Sequence, residues 1–114
     1  MKKVEAIVRP EKVRFVLAAL KDIGSRAVTV VAAKGQGKGV RPLVRDNRGT
    51  ALFTAEYNAM NSIITIVSDA MVNDVISAIA KAVSEGSKPN GKIFVFPVDD
   101  VIDLESGRRG STAL

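Results

Sequence analysis

With 114 residues, 46% of them hydrophobic, the chain is one domain's worth with enough apolar content for a genuine core. It contains no histidine and no cysteine, which removes Ser-His and Cys-His catalysis, disulfides, thiolate chemistry and almost every transition-metal site. Its net charge of +5 points to an anionic partner: a nucleotide, a nucleic acid or an acidic protein surface.

Lys2 to Arg9 reads as a strand through Val4, Ile7 and Val8, and Pro10 then opens a helix where its missing N–H does no harm. Val13, Val16, Leu17 and Leu20 fall on one helical face, and Gly24 is a natural stop. Ala27 to Ala33 is the second strand. The same order then returns. Ser62 to Val67 is the third strand, and Ser68 or Asp69 is placed to cap a helix with Val72, Val75, Ile76, Ile79 and Val83 on its buried face. Gly86 follows that helix, and Lys92 to Val98 is the fourth strand. No apolar run approaches the ~18 residues of a membrane span, and Met1-Lys2-Lys3 leads into a strand rather than a signal-peptide core. A cytoplasmic protein that does not span a membrane is expected.

A β-α-β unit repeated twice predicts an α+β fold, the ferredoxin-like double β-α-β with a four-stranded antiparallel sheet. Both helices cover one sheet face. The first strand sets Ala6 and Val8 against Val4 and Ile7, so both faces read as apolar in places, and other subunits are the simplest cover for the open one.

A long connection, Lys34 to Met60, joins the second and third strands. Loops longer than ~12–15 residues are uncommon in compact domains and are usually functional or disordered. Lys34, Lys38, Arg41, Arg45 and Arg48 face the single acid Asp46 in its first half. Such a segment is either an arm for an anion or a protein partner, or a solvated insert kept soluble by charge. Glycines at 35, 37 and 39 let backbone N–H groups approach phosphate oxygens, and Lys38 adds a cation. Asn90-Gly91-Lys92 offers a second such turn. The run from Gly35 to Gly39 is no Walker A loop, because it lacks the spacing and the Ser/Thr.

Several stretches resemble the PII signal-transduction proteins: Met1 to Pro10, Gly35-Gln36-Gly37-Lys38, Asn90 to Val95, and Val101-Ile102 through Gly107-Arg108-Arg109-Gly110. Their order and spacing cover nearly the whole chain as a single domain, residues 1–114. The resemblance implies a homotrimer with an adenine nucleotide in each cleft between subunits. It also implies a T-loop, about residues 37–60, that changes shape with the ligand and docks on a transporter or a metabolic enzyme. A C-terminal segment, about 99–114, closes the chain. By the same resemblance Thr29, Ile64 and Ile66 correspond to the base pocket. Gly35, Gln36, Gly37, Lys38, Asn90, Gly91 and Lys92 fall on the phosphate side, and Arg41, Arg45, Arg48 and Tyr57 lie on the partner-facing loop.

The chain also departs from that pattern. Gly39 stands where the family has a glutamine that helps hold magnesium-ATP and 2-oxoglutarate. Asn58-Ala59-Met60-Asn61 lacks the lysine that pairs with the 2-oxoglutarate carboxylate, and a charge-assisted bond of that kind contributes about 1.5–3 kcal/mol. Two phosphate-binding arginines are replaced by Asp103 and Glu105, with Arg108 and Arg109 nearby as substitutes. These changes predict ADP or AMP in preference to ATP. Tyr57, the only tyrosine, lies nearer the third strand than the family's modified tyrosine, and an anchoring aromatic is the expected role. A carbon-linked PII-like sensor taking bicarbonate with ADP or AMP, and a standard nitrogen regulator taking ATP and 2-oxoglutarate, are the alternatives.

An RNA-binding module of the same fold stacks bases on sheet aromatics, and the strands that would carry them, Val4 to Val8 and Ser62 to Val67, have none. No nucleic-acid partner is expected. An enzyme needs a polar constellation on rigid elements, and none is visible. The expectation is therefore a non-enzyme with no catalytic residue, catalytic cofactor or metal. It would act by letting nucleotide phosphates select one loop shape through Gly37, Lys38 and Lys92.

Overall fold

A computed structural model describes residues 1–25, 27–37, 43–45, 52–54, 57–86 and 90–114. In chain order its strands and helices are β1 (Lys2–Val8), α1 (Val13–Asp22), β2 (Val28–Gly35), β3 (Leu43–Arg45), β4 (Leu52–Thr54), β5 (Asn58–Val67), α2 (Val72–Ser84) and β6 (Lys92–Pro97). The main sheet has the order β2-β5-β1-β6, with every neighbouring pair antiparallel. This is the ferredoxin-like double β-α-β that the repeated pattern predicts.

Strand side chains alternate between faces, and that period decides which apolar residues form the core. Val4, Ala6 and Val8 all point to the helix side and are buried, so Val4 does not oppose Ala6 and Val8 as the sequence reading had it. Only Ile7 goes to the other face. Ile63 pairs with Ala6 on the helix side, and Val67 lies on that side four residues on. Val16 and Leu20 from α1, with Val75, Ile79 and Ala82 from α2, complete the cluster. Fully burying a Leu, Ile or Val side chain stabilises by about 1.5–3 kcal/mol, so this face closes over the central strands within one chain, while Val30 and Val95 on the edge strands stay partly exposed.

Each helix is entered through a short 3-10 turn, Pro10–Lys12 before α1 and Asp69–Met71 before α2. Ser68 is extended there, and its side chain makes no capping bond. The Asp69 carboxylate instead meets the Met1 ammonium at 2.9 Å, so neither expected cap forms. Helix α1 ends as predicted at Gly24, whose φ of +87° lets Gly24 N–H reach Lys21 O and Ser25 N–H reach Leu20 O. The Lys12 ammonium donates to Glu85 O at 2.6 Å, tying the start of the first β-α-β unit to the end of the second helix.

The connection after β2 is shorter and more structured than the sequence reading. Strand β2 runs on to Gly35, and β5 starts at Asn58 instead of Ser62. Ala32 to Gly35 pair with Asn61 to Asn58, and Lys34 sits in this ladder. Asparagine is a poor strand former, which hid the extension, but backbone pairing overrides it. Within the connection β3 and β4 form a two-stranded antiparallel sheet, with Val44 opposite Phe53.

Candidate functional site

Between the second half of α2 and the start of β6 lies a cleft of about 370 Å³. Ile79, Ala80 and Val83 of α2, with Ile7, Val8 and Ile93 of the sheet, supply its apolar wall. Ser84, Asn90, Gly91 and Lys92 supply its polar rim. The Asn90-Gly91 turn reaches this place because Gly91 adopts a φ of +132° and lies directly against the backbone of β1. A Cβ on Gly91 would overlap the carbonyl oxygen of Ile7. Lys92 is exposed at the cleft mouth, where its ammonium can meet an anion.

The other glycine motif lies on the opposite edge of the sheet. Gly35 is the last residue of β2, paired with Asn58, and Gln36 and Gly37 follow it exposed to solvent. Lys38, Arg41 and Arg48 lie outside the described residues, while Arg45 is in β3. Strand order puts β2 three neighbours away from β6, about 14 Å at ~4.8 Å per spacing. Val31, Ser62, Ile7 and Lys92 share one row across the sheet, and Gly35 lies four residues beyond it, about 13 Å. The two motifs of one chain are therefore roughly 20 Å apart by the same strand geometry. They do not share one phosphate chain within a single copy.

Thr29 and Ile64 are cross-strand partners on the face away from the helices, with Ile66 two residues further along β5. Thr29 is exposed, and the two isoleucines are half-buried. Tyr57, 46% exposed, immediately precedes β5, which fits an aromatic presented at the root of the connection.

Arg108 and Arg109 lie past the far end of β6. Lys92 and Pro97 mark its two ends, about 17 Å apart at ~3.3 Å per residue. Arg109 is also engaged: its Nε donates to Asp100 Oδ2 at 2.8 Å and its Nη2 to the same oxygen. Arg108 is exposed and makes no ion pair among the described residues. Asp103, expected to face a phosphate, instead caps its own turn by accepting from Glu105 N–H at 2.9 Å and Ser106 N–H at 2.8 Å. The Ser106 bonds, chief among these contacts, hold its carboxyl below the usual range. Asp100 escaped the sequence reading. A signal was present in an acid and a base nine residues apart, flanking a glycine-containing turn.

The family model described as nitrogen regulatory protein P-II matches residues 1–108. The chain belongs to the P-II family. It is 37% identical to the nitrogen regulatory protein P-II of Rhodospirillum rubrum over 116 residues, with 100% of each chain covered. Nitrogen regulatory protein GlnK2 of Haloferax mediterranei is 32% identical and covers 100% of this chain and 91% of its own. Among solved structures, Arabidopsis thaliana PII bound to citrate superposes with a TM-score of 0.78 at 35% identity, covering 99% of this chain and 91% of that one. The P-II match thus spans both glycine motifs and stops just before Arg109, the residue that Asp100 holds. Among the described residues no helix is long and apolar enough to cross a membrane, and no three His, Cys, Asp or Glu side chains are grouped for a metal.

Proposed function

We propose that this P-II chain is a non-enzymatic regulator working as a homotrimer. It binds an adenine nucleotide between subunits, ADP or AMP ahead of ATP, and signals to a transporter or metabolic enzyme through the segment between β2 and β5. The observation that carries the reading is the placement of its two glycine motifs on opposite edges of one sheet. A site using both needs a second copy, whose β2 edge comes beside the cleft at Asn90, Gly91 and Lys92. In such a site Gly35, Gln36, Gly37, Lys38 and Lys92 take the phosphates, and Thr29, Ile64 and Ile66 take the base. Arg108 serves the phosphates from the C-terminal segment, where the negative charge of Glu105 disfavours a third one. Arg41, Arg45, Arg48 and Tyr57 face the protein target. The nucleotide acts by its differential affinity for two shapes of the connection.

Isothermal titration of the whole protein with AMP, ADP and ATP, each with and without 2-oxoglutarate or bicarbonate, tests this, alongside its mass by light scattering. Micromolar ADP or AMP binding to a trimer, weaker for ATP, is the expected result. The second reading, a standard nitrogen regulator, is favoured by the nitrogen regulatory names of its relatives. Tight magnesium-ATP binding strengthened by 2-oxoglutarate would establish it instead. Failure of every nucleotide to bind overturns both.

A further inference from the structure

One carboxylate ties together the two ends of the segment after β6. Asp100 Oδ1 accepts from Val101 N–H at 2.9 Å and from Gly110 N–H at 3.1 Å, and Oδ2 takes both Arg109 donors. Around this knot Ile102 bridges Arg109, Gly110 N–H reaches Val101 O at 2.9 Å, and Asp103 N–H reaches Arg108 O at 2.9 Å. We infer that Asp100 is a clasp: it fixes residues 101–110 in one shape and, by occupying Arg109, withholds that guanidinium from anionic ligands. Arg108 is left as the cation that this segment offers to a phosphate. The anion part rests on the nucleotide reading above, and it makes Asp100 a specificity-setting residue although it touches no ligand itself. A ligand rich in charge, such as a triphosphate, gains the Nε–Nη2 edge of Arg109 for a two-bond grip only by displacing Asp100. A diphosphate satisfied by Arg108 need not displace it.

The clasp depends on charge as well as shape. Arg109 is the one charged group among the described residues that acts on Asp100, and its bonds, chief among the causes, keep the Asp100 carboxyl below the ordinary range. A depressed carboxylate contributes its stability above the unfolded value of 3.8 and loses it as pH falls through the folded value. The clasp is therefore closed at neutral and mildly acid pH.

Amide hydrogen exchange of residues 101–110 and nucleotide titration, run on the whole protein and its variants, test the inference. Asp100→Asn and Arg109→Gln are each expected to speed exchange about tenfold, with the double variant no faster than either. The acid-dependent loss of protection at Val101 and Gly110 should vanish in Asp100→Asn, while that at Glu105 and Ser106, which Asp103 holds, should remain. That variant should also bind ATP several-fold more tightly than the parent, and adding Arg109→Gln should erase the gain. Unchanged exchange in Asp100→Asn overturns the clasp. Faster exchange with no gain for ATP overturns the withholding of Arg109. If the parent binds no nucleotide, the nucleotide reading fails while the exchange result still stands. Inorganic tripolyphosphate then takes ATP's place as the anion probe, read by the same two outcomes.

Discussion

On the helix side of the sheet Val4, Ala6, Val8 and Ile63 are covered by α1 and α2, whereas across the sheet Val31, Phe94 and Phe96 stay 45%, 44% and 41% exposed. The first set lies on the central strands β1 and β5 and the second on the edge strands β2 and β6, whose helix-side Val30 and Val95 are themselves 42% and 43% exposed. Over the central strands the helix side is closed by the chain's own elements, and the other side presents Ile7, Ile64, Ile66 and two phenylalanines to whatever lies beyond. The polar groups at its centre are paired with one another. Ser62 Oγ donates to Glu5 Oε2 at 2.6 Å, the Lys3 ammonium lies 3.7 Å from Glu5 Oε1, and it also sits 4.3 Å from the Phe96 ring centroid. That neutralised centre of Lys3, Glu5 and Ser62 can be buried without orphaning a charge, the usual obstacle to burying ionic groups. This suits it to a second copy better than to water.

The comparison is sharpened most by a change on the closed side. Leu20 is fully buried between helix and sheet, and Leu20→Ala should cost about 2–5 kcal/mol of folding stability. Denaturant unfolding measures it, and the loss should be the same at every protein concentration. Ile66→Glu tests the open side. It should lower the association constant more than tenfold while leaving the helical circular dichroism intact, because the site lies away from the core. Light scattering across a dilution series reads this directly. Stability that depends on concentration in the parent but not in the variant would assign association to this face. A variant of unchanged mass would move the interface elsewhere.

The closed side was the legible one. Val13, Val16, Leu17 and Leu20 keep helical spacing, and that period needs only local chemistry to be read. The strand face was misread, because Val4 and Ile7 are both apolar although the two-residue strand period sets them on opposite faces. The start of β5 was hidden by Asn58 and Asn61, whose pairing with β2 is set by the sheet and not by their own preferences. Likewise both glycine motifs stood out in the sequence, but their placement on opposite edges follows from strand order alone. Asp100 was missed because the spacing of acid and base around a glycine-containing turn becomes a contact only through a fold-back of the chain nine residues later.

Where the two faces meet, at the edge where β6 begins, Gly91 gives a smaller and local effect. Gly91→Ala places a Cβ into the Ile7 carbonyl at a φ of +132°, a strain of about 1–3 kcal/mol. Unfolding of the variant should show that loss. Because the turn carries Asn90 and Lys92, ADP affinity should fall with it. Stability within experimental error of the parent would mean that the turn relaxes freely and that its position beside the cleft is not fixed by β1.

The smallest predicted effect probes the one polar spot on the closed side. Thr65 Oγ1 donates to Ala27 O at 2.9 Å and lies 3.0 Å from Ser25 Oγ, both hydroxyl residues being buried. A hydroxyl carries a single proton, so with Thr65 committed to Ala27, the bond between the two hydroxyls is donated by Ser25. Thr65→Val keeps the shape but removes an acceptor from Ser25 and a donor from Ala27. The expected cost is about 1–2 kcal/mol, because groups left buried without partners lose more than the bond itself contributes. Adding Ser25→Ala should recover part of that loss, since one of the stranded groups is then gone. A double variant as destabilised as the sum of the singles would mean that water reaches this spot. The closed face would then be less dry at its β2 margin than the burial of Ser25 and Thr65 implies.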